Sequence, residues 1–373
     1  MQPMEINLTR RKLLGYALSS ASTLPFMSLT GCDVNARHGA SAQSHRQPKL
    51  IGCSRTAAGK FAAVVADLSG NPLLKIMLPA RGHGIALQRN GSLTAVFSRR
   101  PGQYVQVFDH QSCKEWGLRA ADPNRYFYGH GVFSDDGQYL YTTEGESATS
   151  RGIIGVYEVK QGLPKVAEFS GFGIGPHEVI WADNNTLAVG VGGVHTQGRT
   201  PLNLDSMQPA LVYLDKSRGE IVDQAELADK RLSIRHLSLM DNGGIACGQQ
   251  YRGEPEHAAP LVATHQRGQA LHSLLAEDEQ WLRFNHYIAS IGTIDGYLLA
   301  TSPRGNCYGI WEQSTRELVE VKPLVDASGV AMLDNHWIVG SGAGKILSID
   351  THFKKTSKQS AIMWDNHWAL SVV

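Results

Sequence analysis

Cysteine is scarce, with five in 373 residues, and none falls in a Cys-x-x-Cys pair. That excludes zinc ribbons and thioredoxin-like redox sites. Charge is scarce as well: Asp, Glu, Lys and Arg make up 18% of the chain and the formal net charge is +1. With no basic stripe, the electrostatic footprint of a nucleic-acid binder is missing. Apolar runs are short, and the stretch from Leu13 to Leu29 is interrupted by Gly15, Ser19-Ser20 and Pro25, too broken for a membrane span. No Gly-x-Ser-x-Gly elbow, P-loop or His-Glu-x-x-His occurs. The glycine-rich Gly171-Phe172-Gly173-Ile174-Gly175 precedes a strand pattern, not a helix, so it is no dinucleotide loop.

What is present is a core-rich chain, 42% hydrophobic with 39 glycines, the balance of a fold made of short strands and many turns. Its first residues read as targeting sequence. Arg10 and Arg11, followed by Lys12-Leu13-Leu14, resemble the twin-arginine export motif, and Leu29-Thr30-Gly31-Cys32 resembles a lipobox. Residues 1–32 are thus expected to be a leader that ends in a lipidated Cys32, a tether in place of a transmembrane helix. Asp33 resembles the signal that retains lipoproteins in the inner membrane. Residues 33–48 are mixed and polar and read as a flexible linker, and residues 49–373 as the folded domain. The expected location is the periplasm, where disulfides are permitted; Cys53, Cys113, Cys247 and Cys307 lie in or beside strand-like runs and read as buried thiols.

The folded part repeats itself. Gly82-His83-Gly84, Gly129-His130-Gly131, Pro176-His177-Glu178, Arg235-His236-Leu237 and Asn285-His286-Tyr287 recur at separations of 47, 47, 59 and 50 residues. Each opens an apolar strand that ends at a turn signal such as Asn90-Gly91 or Asp136-Gly137. Two copies without the histidine start near Ser328 and Gln359. Seven strand starts at this spacing match one four-stranded blade per repeat, an all-β, seven-bladed β-propeller. The last copy has almost no chain left, and Lys49–Cys53, Phe61–Val65 and Leu73–Met77 supply what it lacks. A blade shared between the N- and C-terminal segments closes the ring and removes open edges. Both the segment after His367 and the segment before Cys53 compete to be its second strand.

In such a ring the start of each first strand and the end of each second strand emerge on one face. That face gathers the histidines with Arg55, Arg99, Glu144, Glu146, His195, Gln249, Arg252, Arg304 and Lys345. Two long connections, residues 193–209 and 249–260, open there too, which marks a binding side. Three readings of the histidines stay open: structural hydrogen bonding, as for the Gly-His dipeptide of WD repeats; a metal site of His83, His130, His177, His236 and His286, where imidazoles suit iron or copper; and an anion pocket in which Arg55, Arg99, His195 and Arg304 take part. His367, between Trp364 and Trp368, copies His336-Trp337 and reads as a turn-and-core residue.

The twin-arginine leader, the Gly-His-Gly strand starts, Pro201–Pro209 running into Leu211–Asp215, Leu232–Leu237 and the terminal Trp364-Asp365-Asn366-His367 together resemble the exported propeller family known as domain of unknown function 1513. The resemblance covers about residues 49–370 and implies association with periplasmic imelysin-type or dihaem-peroxidase-like proteins, and so iron or other metal handling. It establishes no activity. The expected role is a non-enzymatic binding or scaffold component of a metal-handling system, with no catalytic residue assigned. The alternatives are a metal-assisted lyase, lactonase or hydrolase using Glu144, Glu146 or Glu178 as acid or base, and a protein-interaction platform with no small ligand.

Overall fold

Within each repeat, apolar runs of about six residues alternate with glycine- and aspartate-rich turns, and each repeat folds into a four-stranded antiparallel sheet. The structure is a computed structural model that describes residues 47–56 and 58–372. Arg10, Arg11, Cys32 and most of the linker lie outside the described residues. Among the described residues no helix is long and apolar enough to cross a membrane.

Blade 1 comprises Gly82–Leu87, Leu93–Ser98, Tyr104–Asp109 and Glu115–Ala120 from the axis outward. Blade 2 comprises Arg125–Phe133, Tyr139–Glu146, Arg151–Glu158 and Lys165–Ile174. Blade 3 is Pro176–Asp183, Thr186–Val191, Ala210–Asp215 and Ile221–Ala225, and blade 4 is Leu232–Leu239, Ile245–Tyr251, Val262–His265 and His272–Ser273. Blade 5 is Ser290–Ile294, Tyr297–Ser302, Cys307–Glu312 and Leu318–Pro323, and blade 6 is Ala327–Leu333, His336–Ser341, Lys345–Asp350 and Lys355–Gln359. In blade 7 the inner strand Trp364–Ser371 is followed outward by Lys49–Arg55, Phe61–Ala66 and Pro72–Leu78. Each inner strand touches the next around the axis, and Trp364–Ser371 touches Gly82–Leu87, so the ring is closed.

Burial follows from this stacking. Second strands are covered on both faces by neighbouring blades, and every residue of Leu93–Ser98 is buried. Outermost strands face solvent: no residue of Glu115–Ala120 is buried, and all of Lys355–Gln359 is exposed. Their charges blunt the free edges. Tryptophans link adjacent blades; Trp337 Nε1 donates to Gly292 O at 3.0 Å and Trp181 Nε1 to Phe133 O at 2.7 Å. Cys53, Cys113, Cys247 and Cys307 are all buried in the sheets or their turns.

The shared closing blade is present, and its second strand is Lys49–Arg55, paired with Trp364–Ser371 on one side and Phe61–Ala66 on the other. The strand start placed at Gln359 is corrected. Lys355–Gln359 is the outer edge of blade 6, and the seventh inner strand begins at Trp364. The likeness of Met363–Trp368 to Met332–Trp337 hid this. In the earlier copy Asp334, with φ 48°, turns the chain back between two strands. In the later one the chain runs straight through as a single strand. Arg81 seals the seam, donating through Nε and Nη2 to the Asp365 carboxylate at 2.6 and 2.9 Å. His110 spans the same seam between Thr94 Oγ1 and Ser371 Oγ, each at 2.9 Å.

Candidate metal centre in the channel

The inner strands carry a repeated irregularity. Pairing to the second strand breaks register between Gly82 and Ile85, Phe127 and Gly131, Pro176 and Val179, Ile234 and His236, and on Trp364–Trp368 opposite Gly52 and Ser54. Such bulges re-aim a side chain, and His83, His130, His177, His236 and His367 lie at these five. All five are buried in the channel. The flanking glycines make the crowding possible. Gly129 has φ 110°, and a Cβ there would stand 2.7 Å from the His83 ring; a Cβ on Gly84 would stand 2.3 Å from Gly129 O and 3.0 Å from His130 Nδ1.

The rings form one packed group. Centroids lie 4.9 Å apart for His83 and His130, 4.8 Å for His130 and His177, 4.9 Å for His177 and His236, and 4.7 Å for His130 and His367. Two sets of three each bring ligand nitrogens within 4.8 Å of one another: His83, His130 and His177, and His130, His236 and His367. Four buried nitrogens, His83 Nδ1, His130 Nε2, His177 Nδ1 and His367 Nε2, have no hydrogen-bond partner, although buried polar atoms are normally satisfied.

Glu178 organises the second set. Its carboxylate oxygens lie 3.4 Å from His130 Nδ1 and 3.4 Å from His236 Nδ1, and one also accepts from Leu237 N at 2.8 Å. A carboxylate on Nδ1 fixes the tautomer and leaves Nε2 as the lone-pair donor, the outer-shell pattern of metal-binding histidines. Burial pushes the Glu178 carboxyl up, but His130 and His236 outweigh it and hold it well below the usual range. Burial, reinforced by neighbouring imidazoles, holds His83, His177 and His367 well below the usual imidazole range. Neutral imidazole is the ligating form. From the turn side of the ring a cavity of about 280 Å³ reaches this set, lined by Glu178, His130, His236, His367, Trp181 and Met332 among others.

The structure brings His83, His130, His177 and His236 together and adds His367, which the sequence reading had left in a turn. It does not bring His286 in. The inner strand of blade 5 starts only at Ser290, and His286 sits before it at φ 56°, its Nε2 2.8 Å from His257 O. His195 lies in the 193–209 connection, with Nδ1 3.1 Å from Ser150 Oγ. Arg99 is half-buried and acts electrostatically on His83 and His367, whereas Arg55 and Arg304 are exposed. Glu144 is corrected as an acid-base candidate at the mouth. It is buried inside blade 2, accepting from Thr142, Tyr157 and Lys165. Glu146 accepts from Arg151 at 2.6 Å on the surface. Asp122, Glu144 and Glu168 form a further carboxylate group, but the Lys165 ammonium sits among all three at 2.7–2.9 Å and takes the place of a cation. Sequence reasoning missed Arg235 as a site residue. It lies in the bulge directly before His236, and its burial among other cations has no local sequence signal.

The model of a family described as a protein of unknown function, DUF1513, matches residues 76–371. No curated protein matches the chain.

Proposed function

Starting from the chain's membership of the DUF1513 family, a family of unknown function, we propose that this propeller is a metal-binding component of a metal-handling system, exported and lipid-tethered through Cys32. The observation that carries the reading is the set of four buried imidazole nitrogens without partners, packed around His130 and buttressed by Glu178. His130, His236 and His367 hold the ion through nitrogen, as imidazole-rich sites do for iron, copper or zinc, and His83 and His177 extend the same group toward the opposite mouth. Iron or copper is the expected cargo, and imelysin-type or dihaem-peroxidase-like proteins are the partners the family resemblance implies. The role is binding rather than turnover: Glu144 and Glu146 are engaged elsewhere, and Glu178 already serves two imidazoles.

The test is a thermal-shift and uptake series on metal-free protein with Fe(II), Cu(II), Zn(II) and Mn(II). A stoichiometric ion should stabilise the fold by about 2.7 kcal/mol at a hundredfold excess over Kd, and so raise the melting temperature. His130→Gln should abolish the shift, because His130 belongs to both sets. No uptake of any ion would leave the histidines structural and favour the interaction platform.

A catalytic reading rests on one observation, the exposure of Glu178 to the turn-side cavity. Hydrolysis of small esters or uronides that is lost in Glu178→Gln would establish it.

A further inference from the structure

The opposite mouth of the channel carries a second, chemically different feature. Arg235 occupies the bulge between Ile234 and His236 and is 2% exposed, yet its Nε and Nη2 have no hydrogen-bond partner. A buried guanidinium normally faces a carboxylate. Here the charges that act on it most strongly are those of Arg252 and Arg100, two more cations. Arg252 follows the second strand of the same blade, and its buried Nε is also unpartnered. Arg99 and Arg100 follow the second strand of blade 1, and Arg304 follows that of blade 5. Propeller topology therefore delivers all of them to the face where first strands begin.

Among the described residues none of these five arginines has an ion pair. The acid that acts on this region, Asp365, is already held by both arms of Arg81. Tyr287 stands among them. Arg304 lies over its ring at 4.5 Å. Gly192 leaves the space that the Arg235 guanidinium fills, since a Cβ there would stand 3.1 Å from Arg235 Cζ. Convergent guanidinium groups without a counter-charge match oxygen atoms of carboxylate or phosphate, which they bind through paired N–H donors.

We infer that the arginine-lined mouth is a binding site for a small polyanion bearing carboxylate or phosphate groups, with Arg235 and Arg252 as its buried donors and Arg99, Arg100 and Tyr287 around them. The site is chemically distinct from the metal centre, because its donors are guanidinium and phenol groups and its ligand is an anion. An anion seated there also compensates the Arg235 charge, which the protein otherwise buries alone.

The experiment uses the metal-free folded chain, stripped on a chelating resin so that no soluble chelator competes. Citrate and inorganic phosphate are titrated separately at constant ionic strength against chloride, with melting temperature and calorimetric heat as readouts. A saturable rise with citrate, phosphate or both is expected, and which anion acts identifies the source of the oxygen atoms. Arg252→Gln should weaken binding by about tenfold or more, the loss of a charge-assisted hydrogen bond. Arg235→Met should abolish the anion response while melting, without anion, no lower than the parent, because a buried unpaired charge has been removed. A parent that responds to neither anion beyond chloride would overturn the inference. So would an Arg252→Gln variant, or a folded Arg235→Met variant, with an unchanged response.

Discussion

Acidification from pH 7 to pH 5 reads the channel through its histidines. Burial and neighbouring imidazoles keep His83, His177 and His367 neutral in the folded chain, whereas in the unfolded chain each titrates near pH 6.5. The unfolded state therefore binds more protons. The stability is fully present above about pH 6.5 and is lost as pH falls below it toward the depressed folded values. The slope is about 1.4 kcal/mol per pH unit for each imidazole. At pH 5 each has cost about 2 kcal/mol and the three together about 6 kcal/mol. The Glu178 carboxyl is held low, so its contribution is lost only as pH falls through the carboxylate range, below this window. For a propeller of this length, with an unfolding entropy on the order of 0.7 kcal/mol/K, 6 kcal/mol corresponds to a fall of about 9 °C in melting temperature. Circular-dichroism melts of metal-free protein at constant ionic strength measure it. His177→Gln should lower the slope by one proton's worth. A melting temperature flat between pH 7 and pH 5, or an undiminished slope in His177→Gln, would refute the placement of these imidazoles.

Other outcomes follow from the same geometry. Gly129→Ala sets a Cβ against the His83 ring at a backbone φ of 110°. It should destabilise the fold by about 2–3 kcal/mol and weaken metal uptake more than an alanine at exposed Gly296, and melts with metal titrations compare the two. Lys165→Met leaves the Asp122, Glu144 and Glu168 carboxylates without their shared cation, which should cost about 3–5 kcal/mol in a denaturant titration. Removing residues 364–373 takes away the inner strand of blade 7 and bares the Lys49–Arg55 edge. Light scattering should then show an aggregating protein, and a soluble, cooperatively melting truncation would contradict the closure.

The propeller was legible because its signals are local and repeated. Turn dipeptides and apolar runs recur in every blade, and a repeat adds their weight together. The closing strand was harder. Trp364–Ser371 shares Asp-Asn-His-Trp with the turn-and-strand segment Asp334–Trp337, where Asp334 has a positive φ and the later copy has none. Four of the five clustered histidines were visible as strand openings, because the histidine recurs at the same point of those repeats. His367 escaped because its strand was misplaced by a few residues, and His286 was included because blade 5 enters through the short helix Asp278–Leu282, which delays its inner strand. Arg235 was invisible as a site residue for a physical reason. Nothing in Leu232–Leu237 indicates that its guanidinium is buried among other cations, since that depends on Arg100 and Arg252, which follow the second strands of blades 1 and 4, reaching the same face.

The most direct measurement is elemental analysis of the chain purified from the envelope of cells that produce it naturally, with no metal added, beside the His130→Gln variant prepared in the same way. About one equivalent of iron or copper per chain is expected in the parent, with the variant near background while folded. Parent protein that carries no first-row metal, or a folded variant that carries as much as the parent, would contradict a metal centre at the channel histidines.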